Sequence, residues 1–420
     1  MTEQQTQQTP KCRFCNETLE HTFVDLGMSP LCQTHISQEQ LNHMEPFYPL
    51  RAYVCGECFL VQLEEYVSPC EIFSEYAYFS SYSDSWVQHA KRYTDLMLQR
   101  WAMDRSWKVM EIASNDGYLL QHFLAEGIPV LGIEPAANVA RVAVEKGIPT
   151  TVQFFGTDTA KRIAAEHGQA RLLLGNNVLA HVPGINDFVG GMKLLLSPQG
   201  IITMEFPHLM QLVENNQFDT IYHEHFSYLS FCTVSRIFAT HGLRLFDVEE
   251  IETHGGSLRI YAQHAENEGY AVNSRVGELR QRERRKGYSD LEVYMAFSEK
   301  VKETKRQLLE FLINAKSTGK SIVGYGAPGK GNTLLNYCGI RQDFLDYTVD
   351  RSPYKQDKYT PGTHIPIYHP DKIQETKPDY VLILPWNLKK EIMKAGEFIR
   401  EWGGKFVVPI PEVEVCAWDS

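Results

Sequence analysis

No stretch of this chain stays apolar over the roughly 18 residues that a membrane-crossing helix needs, so none is expected. The segment Met1 to Pro10 is rich in Gln and Thr and lacks the basic start and apolar centre of a secretory signal. It reads as a disordered lead-in, with the cytoplasm as the expected location. Positive charge is also scarce: 41 Lys and Arg stand against 52 Asp and Glu, for a formal net charge of −11. That disfavours a surface built to hold a nucleic-acid backbone, although a local basic pocket for a diphosphate stays compatible with it. Cysteine is too sparse for a disulfide scaffold, with nine in 420 residues. A chain of this length and ordinary composition suits two or three soluble domains.

Four of the cysteines are organised. Cys12 and Cys15 form one C-x-x-C, and Cys55 and Cys58 form a second. Two residues between paired cysteines let one tight turn present both sulfurs to a single ion, and two such turns complete a tetrahedron. The spacing predicts a structural Zn2+ site. The distance from Cys15 to Cys58 exceeds that of a compact finger, so the knuckles are expected to meet across a small sheet. A closed set of four thiolates leaves no position for water, which assigns the metal to folding and not to catalysis. A redox C-x-x-C, or unrelated buried cysteines, are the alternatives. Cys32, Cys70, Cys232, Cys338 and Cys416 are scattered and read as small apolar groups.

An amphipathic stripe of Ala90, Tyr93, Met97 and Trp101 predicts a helix from Ser85 to Trp101. Strand-like runs follow at Lys108–Ile112, Pro129–Glu134, Ala170–Gly175 and Gly200–Phe206, with helical stretches between, and later at Gly242–Phe246 and Ser257–Gln263. The alternation predicts a mostly parallel sheet covered on both faces. Charged and polar text from Asn267 to Asp290 reads as a linker or exposed helix. A long helix from about Leu291 to Lys316, with Tyr294, Phe297, Val301, Leu308 and Leu312 on its apolar face, leads into a second α/β unit. Its strands are expected at Ser321–Gly326, Asp346–Asp350, Asp379–Pro385 and Lys405–Ile410, with a helix at Leu388–Trp402. The fold class is therefore α/β in three parts: a zinc module over 10–80, a central Rossmann-like domain over 81–265, and a C-terminal Rossmann-like domain over 266–420.

The first strand of the central domain runs into Glu111-Ile-Ala-Ser-Asn-Asp-Gly117. A dinucleotide fold would carry Gly-x-Gly-x-x-Gly here, to bring its backbone against a pyrophosphate. This turn has one late glycine and two acids, Glu111 and Asp116. Carboxylates repel a pyrophosphate but suit a cofactor with a sulfonium and an amino group. Glu134 ends the next strand, where a carboxylate can take both hydroxyls of an adenosine ribose. The expected cofactor is S-adenosylmethionine, with Ala113, Ser114, Asn115, Gly117, Glu134 and Asn177 as its contacts. An ordinary turn with solvated acids is the bland alternative.

The ordered set Glu111–Gly117, Asn176-Asn-Val-Leu-Ala-His-Val182, Tyr222-His-Glu-His225 and His254-Gly-Gly-Ser-Leu-Arg259 resembles the sugar C-methyltransferase family. The resemblance covers nearly the whole chain, including the cysteine module and Gly324-Tyr-Gly-Ala-Pro-Gly-Lys-Gly331. It implies methylation of a ring carbon in a dTDP-linked 4-keto deoxysugar. One departure is Ala113, where many methyltransferases carry glycine; only a slight shift of the loop is expected from its methyl group.

Carbon methylation from a sulfonium needs a carbanion equivalent, which a carbon beside a ketone supplies as an enolate. The protein must then provide a base, a donor to the enolate oxygen, and alignment. His225 is the candidate base, with His181 its rival. Glu224 would orient a neighbour or contact the sugar, and Tyr222 and, by the resemblance, Tyr76 would line the reacting ring. His223 and His225 could alternatively be a metal pair, though no third ligand is evident. His254 is expected to shape a turn with its glycines.

The C-terminal loop Gly324–Gly331 follows a strand and precedes a helix, and its glycines could admit a phosphate beside Lys330. Taken alone it points to an NAD-dependent oxidoreductase. The resemblance implies instead that this domain holds the nucleotide-sugar, with Lys330, Arg351 and Lys355 as candidate diphosphate partners. A zinc-containing RNA methyltransferase and a non-catalytic sugar-nucleotide binder are further readings. The expected assembly is a monomer without nucleic-acid or membrane partners, its active site between the last two domains.

Overall fold

Residues 9–73 and 79–417 are described by a computed structural model in which the chain forms two compact units. The first takes the residues up to Leu19, then Cys55–His208 and Glu224–Ser289; the second takes Glu20–Val54, Leu209–His223 and the chain from Asp290 onward. Each unit is mixed α/β, as expected from the alternating pattern. No helix among the described residues is long and apolar enough to cross a membrane.

The first unit is built on a seven-stranded sheet. Its order is Leu243–Ile251, Ser257–His264, Leu196–Pro207, Ala170–Asn176, Val109–Ile112, Val130–Ile133 and Thr150–Thr151. Every pair from Leu196–Pro207 to Thr150–Thr151 is parallel, and the last two strands in sequence form an antiparallel hairpin against Leu196–Pro207. The Val109–Ile112 and Val130–Ile133 strands are buried throughout, as strands covered on both faces must be.

Helix Asp84–Trp101 covers one face. Ser83 caps it by accepting the Trp86 N–H, and it buries His89, Ala90, Tyr93, Thr94 and Met97. Ala90, Tyr93 and Met97 pack with Val109, Leu172, Leu174, Ile201 and Tyr261 in one core, against which Trp101 is half-buried. The apolar stripe read from the sequence is thus the buried face. Register fixes what else that face carries. Glu111 lies opposite Leu174, Leu174 opposite Thr203, and Asn176 opposite Glu205. Because strand side chains alternate, Glu111, Asn176, Thr203 and Glu205 all project to the same side.

Glu205 is the buried anchor of that side. It accepts hydrogen bonds from His89 Nε2 at 2.8 Å and from Arg259 Nε at 2.7 Å, and Arg259 Nη2 lies 2.6 Å away. Arg259 also donates to Glu249 at 3.0 Å, which in turn accepts from the Tyr261 hydroxyl at 2.8 Å. The segment expected to be a linker or exposed helix contains helix Ser274–Arg285, which buries Val276, Leu279 and Glu283. Glu283 accepts from His208 Nε2 and from the N–H groups of Phe231 and Cys232, each at 2.7 Å.

In the second unit the long helix is Leu291–Ser317, and its buried residues include all five of the expected apolar positions. Phe297 stacks on Phe23 at 4.6 Å, and Tyr294 meets the same ring edge-on. Phe23 belongs to strand His21–Ser29, which pairs antiparallel with Tyr48–Val54. Residues 20–54 therefore fold with the C-terminal part of the chain. The C-terminal sheet has the order Ile367–Tyr368, Thr348–Val349, Ile322–Tyr325, Tyr380–Ile383, Lys405–Val408 and Glu414–Val415, parallel except for the last pair. The helix expected over Leu388–Trp402 is broken. Helix Lys389–Ala395 stops at Gly396, where a side chain would meet the Phe406 ring at 2.7 Å, and a 3-10 helix Glu397–Trp402 continues.

Removing the charge of Glu205 leaves Arg259 and His89 facing a neutral amide in a buried site. Glu205→Gln is expected to cost about 3 kcal/mol of stability, read as a lowered urea midpoint for the zinc-loaded protein.

Candidate active site and cysteine cluster

The four paired cysteines converge as the spacing predicts. One ligand atom from each of Cys12, Cys15, Cys55 and Cys58 lies within 4.8 Å of all the others. The Cys12–Cys58 and Cys15–Cys55 sulfurs are both 3.5 Å apart. A tetrahedron with Zn–S bonds of about 2.3 Å needs sulfurs about 3.8 Å apart, so the set fits zinc. Among the described residues no other group of three or more ligand-type side chains lies close enough to share an ion. His223 and His225 thus form no metal pair with a third ligand there. The long gap between the knuckles has a structural reason: after Leu19 the chain enters the second unit and re-enters the first at Cys55. Both knuckles are tied to helices of the first unit, Ile185–Leu195 and Phe231–Thr240. Asn186 donates to the carbonyl of Phe14 at 2.8 Å, and Thr233 donates to that of Cys58 at 3.1 Å. With sulfurs alone, the hydrogen bond from Cys58 pulls the Cys12 thiol down to about 4, and the donor Cys58 is pushed upward. Such a shared thiolate is the chemistry a metal replaces on binding.

The loop after Val109–Ile112 takes three left-handed residues: Ala113 at φ 57°, Asn115 at φ 51° and Gly117 at φ 76°. At Ala113 this conformation costs roughly 1–2 kcal/mol that glycine would not incur. Two bonds hold the loop in place. The Ala113 N–H donates to the Ile133 carbonyl at 2.7 Å, and the Asn115 N–H donates to Glu134 at 2.9 Å. A second N–H, from Ala136, reaches Glu134 at 2.8 Å. Glu134 is thereby fixed at the end of its strand, and burial raises it above the ordinary carboxylate range against those two bonds. Asp116 is paired with Lys146 at 3.2 Å, and Ser81 donates to it. The Ser80 N–H donates to the Asn115 side chain at 2.9 Å.

Glu111 has no such partners. It is fully buried, and neither carboxylate oxygen meets a hydrogen-bond donor among the described residues. Burial first, then the neighbouring Glu134, Asp116 and Glu205, hold it well above the ordinary range. The buried Ser114 hydroxyl is likewise unpartnered. This donor-hungry acidic site fits a cofactor with an ammonium group, and Glu134 retains lone pairs for ribose hydroxyls. A pyrophosphate would find only repulsion.

His181 and His225 come together. Their rings meet edge to face with centroids 4.6 Å apart, and Phe73 packs on His181 at 5.7 Å. The Phe226 N–H donates to the Ala180 carbonyl at 2.7 Å and so ties the two loops. Burial pushes His181 down to about 4 against a bond to the Glu224 backbone, which keeps the ring neutral. The boundary of the two units falls between His223 and Glu224. In the second unit Tyr222 is half-buried and His223 Nε2 lies 3.1 Å from the Pro49 carbonyl, a packing role. Tyr76 lies outside the described residues.

The family comparisons settle the class. Residues 85–248 match a methyltransferase domain, residues 12–73 a zinc-binding domain, and residues 252–411 the C-methyltransferase C-terminal domain. The chain is 36% identical over 410 residues to the C-methyltransferase NovU of Streptomyces niveus, covering 98% of this chain and 97% of that one. This chain belongs to the S-adenosylmethionine-dependent C-methyltransferase family. Among solved structures, the PH0226 protein of Pyrococcus horikoshii covers 48% of the C-methyltransferase chain and 99% of its own, at 14% identity and a TM-score of 0.38. A SAM-dependent methyltransferase of Anabaena variabilis covers 41% and 83%, at 14% identity and a TM-score of 0.35. Both likenesses are too slight to bear on function.

The NAD-dependent reading of Gly324–Gly331 finds no support, and packing explains its glycines. Side chains at Gly324, Gly329 and Gly331 would meet Thr348 at 2.6 Å, Cys32 at 2.9 Å and Leu384 at 2.9 Å. The Ala327 N–H, which a phosphate would need, already donates to Asp350 at 2.8 Å. Lys355 donates to the Ala327 carbonyl at 2.9 Å, and exposed Arg351 donates to Glu391 at 3.1 Å. Lys330 is half-buried, 4.3 Å from the Trp386 ring centroid, and donates to Asn387 at 2.9 Å. Asp219, a fully buried acid that accepts the Trp386 indole N–H at 2.7 Å, carries no local sequence signal.

Two tests follow from these side chains. Cys55→Ser is expected to lower zinc from about one per chain to near zero and to lower Tm, checked by metal analysis and calorimetry. Burial pushes Asp219 up to about 7, with Lys330 opposing. A raised folded value gives stability that is full below the unfolded value near 4 and lost as pH rises through 7. Asp219→Asn should therefore gain on the native chain as pH rises from 5 to 8, by on the order of 2 kcal/mol, read from paired urea midpoints.

Proposed function

We propose that this C-methyltransferase methylates a ring carbon beside the ketone of a nucleotide-linked 4-keto deoxysugar, with dTDP as the nucleotide carrier, through an enolate. The observation that carries the reading is the imidazole pair of half-buried His181 and buried His225, on the same unit as the acidic loop at 111–117. Transfer to carbon needs a proton removed from that carbon. A neutral imidazole in a dry site is suited to accept it.

His225 is the base in this reading. His181, held neutral by burial, would set the orientation of the His225 ring through their edge-to-face contact. Glu224 would contact the sugar, and Tyr222 and Tyr76 would line the reacting ring, with a tyrosine hydroxyl donating to the enolate oxygen. In the second unit, Lys330, Arg351 and Lys355 are the cations proposed for the diphosphate. Lys330 is the one best prepared, since its ammonium is already fixed between Trp386 and Asn387. S-adenosylmethionine supplies the methyl electrophile. The chain's own task is to hold the acceptor carbon, take its proton and exclude water.

Solvent exchange separates the base from the transfer step. In deuterated buffer with the keto-sugar nucleotide and S-adenosylhomocysteine, the native enzyme should wash deuterium into the carbon beside the ketone. His225→Asn should lose both this exchange and methyl transfer while its S-adenosylmethionine affinity stays within about two-fold. Exchange at the native rate in that variant would remove His225 from the role.

A further inference from the structure

Glu111 and Asn176 stand on neighbouring strands and project to the same side of the sheet. Asn176 is 9% exposed, and neither its amide nitrogen nor its oxygen has a partner among the described residues. Two adjacent buried side chains with all their polar atoms unsatisfied are costly, unless a ligand completes them. Glu111 asks for cationic N–H donors. The amino-acid end of S-adenosylmethionine brings an ammonium, and on the same carbon a carboxylate. An acidic edge must offer that carboxylate a donor from elsewhere.

The hairpin turn between Leu243–Ile251 and Ser257–His264 supplies one. Ser257 pairs with Pro207, and the His208 N–H donates to the Gly256 carbonyl, so the turn lies at the carboxyl end of strand Leu196–Pro207. At its tip His254 is left-handed, with φ 56° and ψ 21°, and Gly255 and Gly256 follow at φ 90° and 114°. A histidine held in this region costs about 1–2 kcal/mol, a strain that marks sites where a side chain is needed. Asn177, whose own N–H donates to the Glu205 carbonyl at 2.8 Å, faces His254 Nδ1 through its amide nitrogen at 3.5 Å. An Nδ1 that accepts leaves the proton on Nε2, the tautomer that can donate to a carboxylate. The ring also meets Trp86 edge-on at 5.2 Å. Trp86 stacks on His89 at 4.9 Å, and on Tyr118, which directly follows the cofactor loop, at 6.1 Å. His89 is fixed by Glu205. His254 is thus linked through Trp86 and His89 to Glu205, which lies opposite Asn176 in the sheet.

We propose that His254 binds the carboxylate of the S-adenosylmethionine amino-acid end, opposite Glu111, which takes the ammonium, with Asn176 bridging the two. Recognition of the cofactor then draws on a turn far from its first loop in sequence. The inference rests on the cofactor dependence of the family and not on the keto-sugar acceptor, so a failed acceptor screen leaves it standing.

Calorimetry on the zinc-loaded full chain tests it with three probes: S-adenosylhomocysteine, decarboxylated S-adenosylmethionine and 5′-methylthioadenosine, which lacks the amino-acid end. His254→Gly removes the imidazole and suits the left-handed turn, so lost affinity would not come from strain. It should weaken S-adenosylhomocysteine about ten-fold and leave the other two unchanged. Glu111→Gln should weaken both ammonium-bearing probes and spare methylthioadenosine. Equal loss for all three probes in His254→Gly, loss shared by the decarboxylated probe, or no loss at all would each overturn the assignment.

Discussion

The first unit depends on one constraint: the strands Val109–Ile112, Val130–Ile133, Ala170–Asn176 and Leu196–Pro207 all run the same way. Their carboxyl ends must then share one edge, and every element that could hold the cofactor leaves from it. The loop at 113–117, Glu134 and the Asn176–Asn177 pair follow directly. The antiparallel hairpin adds its turn to the same edge, because Ser257 is paired with Pro207. Register matters as much as direction. A slip of one residue in Ala170–Asn176 would turn Asn176 away from the side that carries Glu111 and Glu205.

That edge concentrates acids, and the chain treats each differently. Asp116 has Lys146, Glu134 has two backbone N–H groups, and Glu205 has Arg259 and His89. Among the described residues, Glu111 alone of these four meets no donor. Three carboxylates therefore build the loop and the frame, whereas Glu111 is the one proposed to take the cofactor's ammonium. The cysteine quartet is the opposite case, since four sulfurs close on one another and leave no open position. Its ties through Asn186 and Thr233 make it part of the unit's framework.

Much of this was legible in the sequence because it is periodic or paired. The stripe from Ala90 to Met97, the five apolar positions of the long helix and the two C-x-x-C turns each announce themselves through spacing, and each is found as read. The cofactor itself was legible through chemistry, since acids stand at 111 and 116 where a phosphate-binding fold needs glycine. What was not legible has no local signal. The passage of residues 20–54 into the second unit rests on Phe23 meeting Phe297, a contact across more than 270 positions that no window can register. The break at Gly396 depends on Phe406 and the role of Asp219 on Trp386, again distant partners. The Asn267–Asp290 segment holds the largely exposed helix its charge suggested, but the burial of Glu283 by His208 and two amides has no local signal.

The two glycine-bearing loops show why a motif and a site are different things. The C-terminal loop carries the phosphate-like pattern, yet three of its glycines are required by neighbours at 2.6 to 2.9 Å, and an aspartate takes its Ala327 N–H. The loop at 113–117 lacks the pattern and uses left-handed alanine and asparagine instead. A pyrophosphate demands bare backbone N–H groups, so its fingerprint is glycine. An amino-acid cation demands an unsatisfied carboxylate, and no glycine spacing encodes that. Charge and burial at Glu111 therefore discriminate between the cofactors where the glycine count points the wrong way.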